Sequence, residues 1–402
     1  MRLRHWLGGL LLSMVMPVFA QEPAPAPTIS LVTFAPGEVY WQRFGHNALL
    51  VREPDGRSRL YNYGIFDFQQ KNFFLNFARG RMQYRLDEAP LEWALQPYRE
   101  EGRWALEQQL SLSAAQAREA AAFLAWNAQP QNAEYRYDYF LSNCSTRTRD
   151  VIDQVLDGEL RAQLEARAGL GTFRSEVLDL MAPAPALRIG MDLGLGSRVD
   201  TRLTAWQDAF IPMRLMDSLR GLRLAGDASE GRPLVSHERW LLPRLVTDAA
   251  SPTAWQPWRA LLLTGVLVAG LLAALQRSRR SPLARVAWGA LSLSYAVVCG
   301  LAGGVLLLGW VGTEHWSMAA NYNLLLLHPL WWGLLPAVAR ASRRAAPPPG
   351  AVTRMLAIGS LLAALAALPL SLLGTQPNLH WVALLLPIHA LLLIALLRPP
   401  PP

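Results

Sequence analysis

The stretch Tyr139-Phe140-Leu141-Ser142-Asn143-Cys144-Ser145-Thr146-Arg147 decides how this chain is read. It stands directly before Val151, Ile152, Val155 and Leu156, whose spacing marks one face of a helix that stops near Gly158. Cys144 is therefore expected at or near a helix N-terminus, where unpaired backbone N–H groups and the helix dipole favour a thiolate. Arg147 and Arg149 add positive charge nearby. The same N–H groups can stabilise an oxyanion when a thiolate attacks an acyl carbonyl.

A nucleophilic thiol usually wants a base. Of the seven histidines, His5 falls in the N-terminal leader, and His328, His380 and His389 lie within or at the edges of apolar spans. His46, in Trp41-Gln42-Arg43-Phe44-Gly45-His46-Asn47-Ala48-Leu49-Leu50, heads a strand-like run that turns through Pro54-Asp55-Gly56 into Leu60 to Tyr63. His237, in Ser236-His237-Glu238, is the competitor. A third group, orienting the imidazole, is expected on the opposing strand, Tyr61-Asn62-Tyr63. A two-residue turn brings Tyr61 or Tyr63 to the face of His46, and a three-residue turn brings Asn62 there, so the register is left open.

The 402 residues allow two or three domains, and 52% hydrophobic with 17% charged residues excludes both a disordered and a purely soluble chain. A net charge of +8 suggests a polyanion partner until its distribution is examined. Residues 257–402 hold ten Arg and one acid, Glu314, whereas residues 21–256 carry 26 basic and 29 acidic groups. The basicity is thus membrane topology, and nucleic acid is not expected as a partner. Lys71 is the only lysine, which excludes any mechanism needing two.

Arg2 and Arg4, the apolar run Leu7 to Phe19 and Val18-Phe19-Ala20 read as a secretory signal peptide over residues 1–20. Pro-rich residues 22–27 follow as a stiff linker. Residues 21–181 read as a mixed α/β thiol domain, with an Ala-rich helix at 111–127 capped by Ser113. Residues 182–256, punctuated by Pro, Gly and Arg, read as a less regular extension leading to the membrane. From 257 to 402, apolar spans near 258–275, 284–310, 324–339, 355–374 and 380–397 predict five transmembrane helices. The loop with Arg277, Arg279 and Arg280 and the loop with Arg340, Arg343, Arg344 and Arg354 alternate with loops 311–323 and 375–379, which hold no Lys or Arg. The positive-inside rule places the latter two outside, as an exported N-terminal domain requires. Trp255, Trp258, Trp310, Trp316, Trp331 and Trp332 read as interfacial anchors. Cys299 lies mid-span, leaving Cys144 the single, unpaired cysteine of an oxidising compartment, and an odd thiol there suggests reactivity.

A Gly-His heading a hairpin, followed by an Asn-Cys at a helix start, resembles the permuted papain-like thiol fold of lecithin:retinol acyltransferase-like and some NlpC-like proteins. More closely, Phe44-Gly45-His46-Asn47-Ala48-Leu49, Tyr61-Asn62-Tyr63-Gly64-Ile65-Phe66-Asp67-Phe68 and Ser142-Asn143-Cys144-Ser145-Thr146-Arg147 resemble the Lnb family of bacterial lipoprotein N-acyltransferases. Trp206-Gln207-Asp208-Ala209-Phe210-Ile211-Pro212 and Glu314-His315, followed by Asn321-Tyr322-Asn323-Leu324-Leu325, extend the likeness over nearly the whole mature chain. The resemblance implies an α+β, permuted papain-like (NlpC-like) periplasmic domain followed by an all-α domain of about five transmembrane helices in the bacterial inner membrane. It implies Cys144 as nucleophile and His46 as base; the third member stays open on the opposing strand, with Asn62 and Tyr63 as the candidates. Asn143, Arg147, Arg43, Glu314 and His315 are the residues expected at the substrate.

The implied reaction takes an acyl chain from a phospholipid through a Cys144 thioester to the N-terminal amine of a diacylglyceryl-cysteine lipoprotein. A membrane-tethered thiol hydrolase of cell-wall peptides or lipid esters would use the same dyad with water as acceptor. No cofactor is expected, and Glu314-His315 alone is too few ligands for zinc. That pair either lines a headgroup or acceptor site or docks its loop on the soluble domain.

Overall fold

The computed structural model describes residues 25–225, 231–244, 257–343 and 348–397. The expected signal peptide, most of the Pro-rich linker, Trp255 and Arg344 lie outside the described residues.

Among the described residues there are nine strands: β1 (Thr28–Phe34), β2 (His46–Arg52), β3 (Ser58–Ile65), β4 (Gln83–Pro90), β5 (Ala105–Leu110), β6 (Glu134–Arg136), β7 (Arg223–Leu224), β8 (Arg232–Pro233) and β9 (Val235–Leu242). Seven of them form one antiparallel sheet in the order β6-β4-β3-β2-β1-β5-β9, and β7 pairs with β8. β1 and β2 are buried almost throughout because both faces of the sheet are covered. On one face Leu31, Leu49, Val51, Tyr61 and Tyr63 pack against α3 (Ala114–Asn127) and α4 (Cys144–Val155). On the other, Val32, Phe34, Ala48, Leu50 and Leu60 meet Leu91 and Leu95 of α2 (Leu91–Glu100), which follows the short α1 (Phe73–Arg79).

The helix expected at 111–127 is α3, and Ser113 caps it: its Oγ accepts from the Gln116 N–H at 3.2 Å while Gln116 Oε1 accepts from the Ser113 N–H at 2.9 Å. The β2–β3 hairpin turns over residues 53–57, with Arg52 opposite Ser58 and Leu49 opposite Tyr61. That odd-length loop sets the parity that brings Asn62 to the face of His46.

The described part of residues 182–256, namely 182–225 and 231–244, differs from the irregular lead-in expected of it. After α5 (Glu159–Glu165) and α6 (Phe173–Leu180) come α7 (Pro185–Gly194), α8 (Ala205–Asp208) and α9 (Pro212–Arg220). Ala209, Leu215 and Leu219 belong to the same core as α4, and β9 extends the sheet beside β5. The prolines that punctuate this stretch start helices, Pro185 and Pro212 each standing in a first turn where no N–H is missed.

The C-terminal region is helical: α10 (Trp258–Arg277), α11 (Pro282–Val311), α12 (Leu330–Ala341), α13 (Ala351–Leu372) and α14 (Leu379–Leu397). With the turn preceding α12 included, all five are long and apolar enough to cross a bilayer. Both loops free of Lys and Arg touch the N-terminal unit: the Glu314 N–H donates to the Arg79 carbonyl at 2.8 Å, and Gln376 Nε2 to the Leu195 carbonyl at 3.3 Å. They therefore lie on one side, as the charge alternation requires. Two of the tryptophans expected as anchors have other duties. Trp331 is buried inside the helical bundle beside Cys299, and Trp316 packs on Phe140 and Phe173 and donates to Asp138 Oδ2 at 2.8 Å.

Candidate active site

Cys144 is the first residue of α4, and Asn143 is its N-cap. Asn143 Oδ1 accepts from the N–H groups of Ser145 and Thr146, both at 2.9 Å, and its Nδ2 donates to the carbonyls of Tyr139 and Phe210, both at 2.9 Å. This side chain is fully used in holding the helix start, so Asn143 positions the thiol and is not free to contact substrate, contrary to expectation.

His46 begins β2 immediately after Gly45, whose φ of +74° and closeness to the Phe34 carbonyl admit no side chain without strain. Its Nε2 lies 3.2 Å from Asn62 Oδ1, and its imidazole is close enough to Cys144 for each group to shift the other's pKa. The imidazole thus stands near the thiol with one nitrogen steered by an amide oxygen, an arrangement that can activate a thiol. His237 lies on β9 at the far edge of the sheet, opposite Gln109, and plays no part. Tyr63 points to the opposite face, where its hydroxyl donates to Asn127 Oδ1 at 2.6 Å. It belongs to the core and does not stand beside His46, because adjacent strand residues face opposite ways.

The charges of this pair reinforce each other. Burial opposes a thiolate at Cys144, but the His46 imidazole, its hydrogen bond and the N–H groups of Asn47 and Ser145 directed at the sulfur bring the thiol below its ordinary pKa. Burial likewise opposes an imidazolium, yet the Cys144 thiolate and Asn62 hold His46 above its ordinary value. Each charge therefore favours the other, so a thiolate–imidazolium pair forms more readily here than from a separate thiol and imidazole. Alkylation of Cys144 by iodoacetamide is expected to rise with pH through an inflection below that of a free thiol. His46→Ala should move that inflection upward and slow the reaction at neutral pH. Superimposable rate–pH curves for the two proteins would remove His46 from this role.

Several residues build the site without chemistry of their own. Asn47 is fully buried: its Oδ1 accepts from Thr33 Oγ1 at 2.9 Å, and its Nδ2 donates to Ser145 Oγ at 3.0 Å and to the Pro212 carbonyl at 3.3 Å. Ser145 Oγ donates to the Ala209 carbonyl at 2.7 Å, and Arg149 donates to the Trp206 carbonyl at 2.6 Å while its guanidinium stacks on the Trp206 ring. The motif Trp206–Pro212 therefore serves as a row of carbonyls behind the start of α4. Gly64, at a bulge in β3 with φ +96°, faces the Cys144 side chain; a Cβ there would stand 3.6 Å from that of Cys144. Tyr98, Tyr135 and Tyr137 are close enough to feel the Cys144 charge, although burial is the main cause of their raised pKa values. Sequence reasoning missed these phenols, yet the alternation Tyr135, Tyr137, Tyr139 just before the Cys motif is a legible signal of one face.

Arg147 stacks over Tyr63 and Tyr135 at 5.3 and 5.0 Å, and neither its Nε nor that of half-buried Arg43 has a hydrogen-bond partner among the described residues. Glu314 is tied to Arg81 at 2.5 Å and to Arg136, and His315 Nε2 pairs with the Phe77 carbonyl at 3.0 Å. Of the two roles expected for Glu314-His315, docking is the one these contacts fit. No group of three or more potential metal ligands exists among the described residues.

Residues 19–178 match the family model of the Lnb N-terminal periplasmic domain. This segment belongs to the Lnb family. No curated protein and no solved structure matches the chain. The Lnb domain contains the whole Cys144–His46–Asn62 set, while the Trp206–Pro212 backing and the docking loop come from beyond residue 178.

Proposed function

We propose that this protein is a bacterial inner-membrane lipoprotein N-acyltransferase whose Lnb domain, of permuted papain-like type, works at the periplasmic face. The observation that carries the reading is the Cys144–His46–Asn62 arrangement at a helix N-terminus, docked on five membrane-length helices. The base strand precedes the nucleophile helix in the chain, the order of the permuted fold. Lipid-anchored substrates account for a thiol site tied so closely to the membrane.

In the first half-reaction the Cys144 thiolate attacks an ester carbonyl of a phospholipid, and the N-terminus of α4 favours the charge gathered on the oxyanion. The His46 imidazolium protonates the departing lysophospholipid oxygen, leaving a Cys144 thioester. In the second, the α-amine of a diacylglyceryl-cysteine attacks the thioester, His46 accepts its proton, and the thiolate departs. Asn62 keeps the imidazole in the orientation both steps need. The mass of a reporter lipoprotein's N-terminal peptide tests this reading. One acyl chain is expected on the amine when the protein is present, and a free amine when it is absent. Release of free fatty acid with the amine unmodified would favour the hydrolase instead.

A further inference from the structure

The short helix α1 has the sequence Phe73-Phe74-Leu75-Asn76-Phe77-Ala78-Arg79 and is apolar on nearly every side. Its inner face is explained. Phe73 and Phe77 join Phe66, Tyr84, Tyr137 and Tyr139 in a run of ring contacts with centroids 4.1 to 6.4 Å apart, and Tyr137 is near enough to Cys144 to feel its charge. Its outer face is not explained by the fold. Phe74 is 74% exposed, Leu75 47%, and neighbouring Phe68 57%. Large apolar side chains grouped in this way mark a surface that something covers.

Three observations say what covers it. The last carbonyls of α1 are held by the loop that follows a membrane helix, Phe77 by His315 Nε2 at 3.0 Å and Arg79 by the Glu314 N–H at 2.8 Å. Glu314 is three residues past Val311, the last residue of α11, and three residues of chain span at most roughly 11 Å. The end of α1 therefore lies at the level of the bilayer interface. The exposed patch is also flanked by cations, Lys71 before the helix and Arg79 at its end, both exposed. Exposed apolar side chains bordered by basic ones beside a membrane span are what an interfacial segment needs to meet acyl chains and anionic headgroups together.

We propose that Phe68, Phe74 and Leu75 form a membrane-inserting surface that enters the periplasmic leaflet beside the five spans. The partner is the lipid surface itself. If the acyl-transfer reading also holds, this surface is where the donor phospholipid leaves the leaflet, with the aromatic run from α1 to Tyr137 leading its ester toward Cys144.

The test uses the full chain in nanodiscs of phosphatidylethanolamine and phosphatidylglycerol. A photoreactive benzoylphenylalanine is placed at Phe74, at Asp55 in the distal hairpin turn, or at Val311 at the end of a span. After illumination, a phospholipid mass adduct is expected at positions 74 and 311 and not at 55. A position 74 as free of lipid as position 55, with 311 labelled, would overturn the proposal, as would cross-linking of 74 to a second copy of the chain. A double variant, Phe74→Asp with Leu75→Asp, should lower kcat/KM for vesicle phospholipid about tenfold and leave Cys144 alkylation by iodoacetamide unchanged. A lipid adduct at 74 in a protein that acylates no lipoprotein would keep the membrane surface and remove the acyl-transfer reading.

Discussion

Cys144→Ala is expected to abolish acyl transfer, and Cys144→Ser to lower it by several orders of magnitude. The serine variant is the sharper test because it keeps nearly the same shape. Its hydroxyl stays protonated where the thiol ionises, so the loss measures the thiolate and not the packing. The N–H groups of Asn47 and Ser145, the His46 imidazole and the N-terminus of α4 would all remain in place around an uncharged oxygen. Cys299→Ala should leave the rate unchanged, because that thiol is buried in the helical bundle among Ala296, Trp331 and Leu334, apart from the Cys144 core. Rates for purified, membrane-reconstituted variants with a phospholipid donor and a diacylglyceryl peptide acceptor check all three outcomes.

Arg174→Met is expected to be the most destabilising single substitution outside the catalytic set. Arg174 is almost wholly buried and saturated: Nε and Nη2 bind the Asp200 carboxylate at 2.7 and 3.0 Å, and further contacts reach the carbonyls of Asp192, Leu195 and Gly196 at 2.7, 2.9 and 3.0 Å. Those carbonyls lie where the helical region joins the Lnb domain. Asp192 Oδ2 pairs with His380 Nε2 at 2.5 Å and accepts from Trp381 Nε1 at 2.9 Å, while Asn321 Nδ2 donates to the carbonyls of Leu193 and Gly194 at the end of α7. Removing the cation leaves Asp200 buried without its partner, a change that costs about 3–5 kcal/mol. For a unit of this size that corresponds to a fall in Tm of roughly 10 °C. Arg174→Lys should recover only part of it, since an ammonium cannot reproduce the planar two-pronged contact with Asp200. Thermal unfolding in detergent, with exposed Arg202→Met as a near-neutral control, measures the difference; equal Tm values would show that the cluster does not hold the joint.

Much of this was legible in the residues because it rests on local patterns. Asn143 before Cys144 announced a capped helix with the thiol in its first turn, and Gly45-His46 announced a strand start. The five membrane-length helices and the charges of the loops between them were legible for the same reason, since bilayer thickness and charge bias act on contiguous sequence. What depended on distant pairing was not legible. The third member at His46 hung on hairpin register, and a one-residue change of loop length exchanges Asn62 for Tyr63. The packing of α7, α8 and α9 and the edge strand β9 was hidden because prolines that open helices read the same as prolines that break them. The role of Asn143 was likewise hidden: its motif marks a helix start, but only the folded chain shows the Phe210 carbonyl that uses its second donor.

A covalent intermediate at Cys144 is the central claim, and a single-turnover labelling measurement reaches it most directly. The full protein in nanodiscs is given an acyl-labelled phospholipid with no acceptor, then split between buffer and neutral hydroxylamine. Label should accumulate on the peptide containing Cys144 and be removed by hydroxylamine, which cleaves thioesters and spares amides. Adding a diacylglyceryl-cysteinyl peptide should then move the label onto that peptide as a hydroxylamine-stable amide. Transfer to the peptide at full rate with no label ever passing through Cys144, or undiminished by Cys144→Ala, would contradict the account.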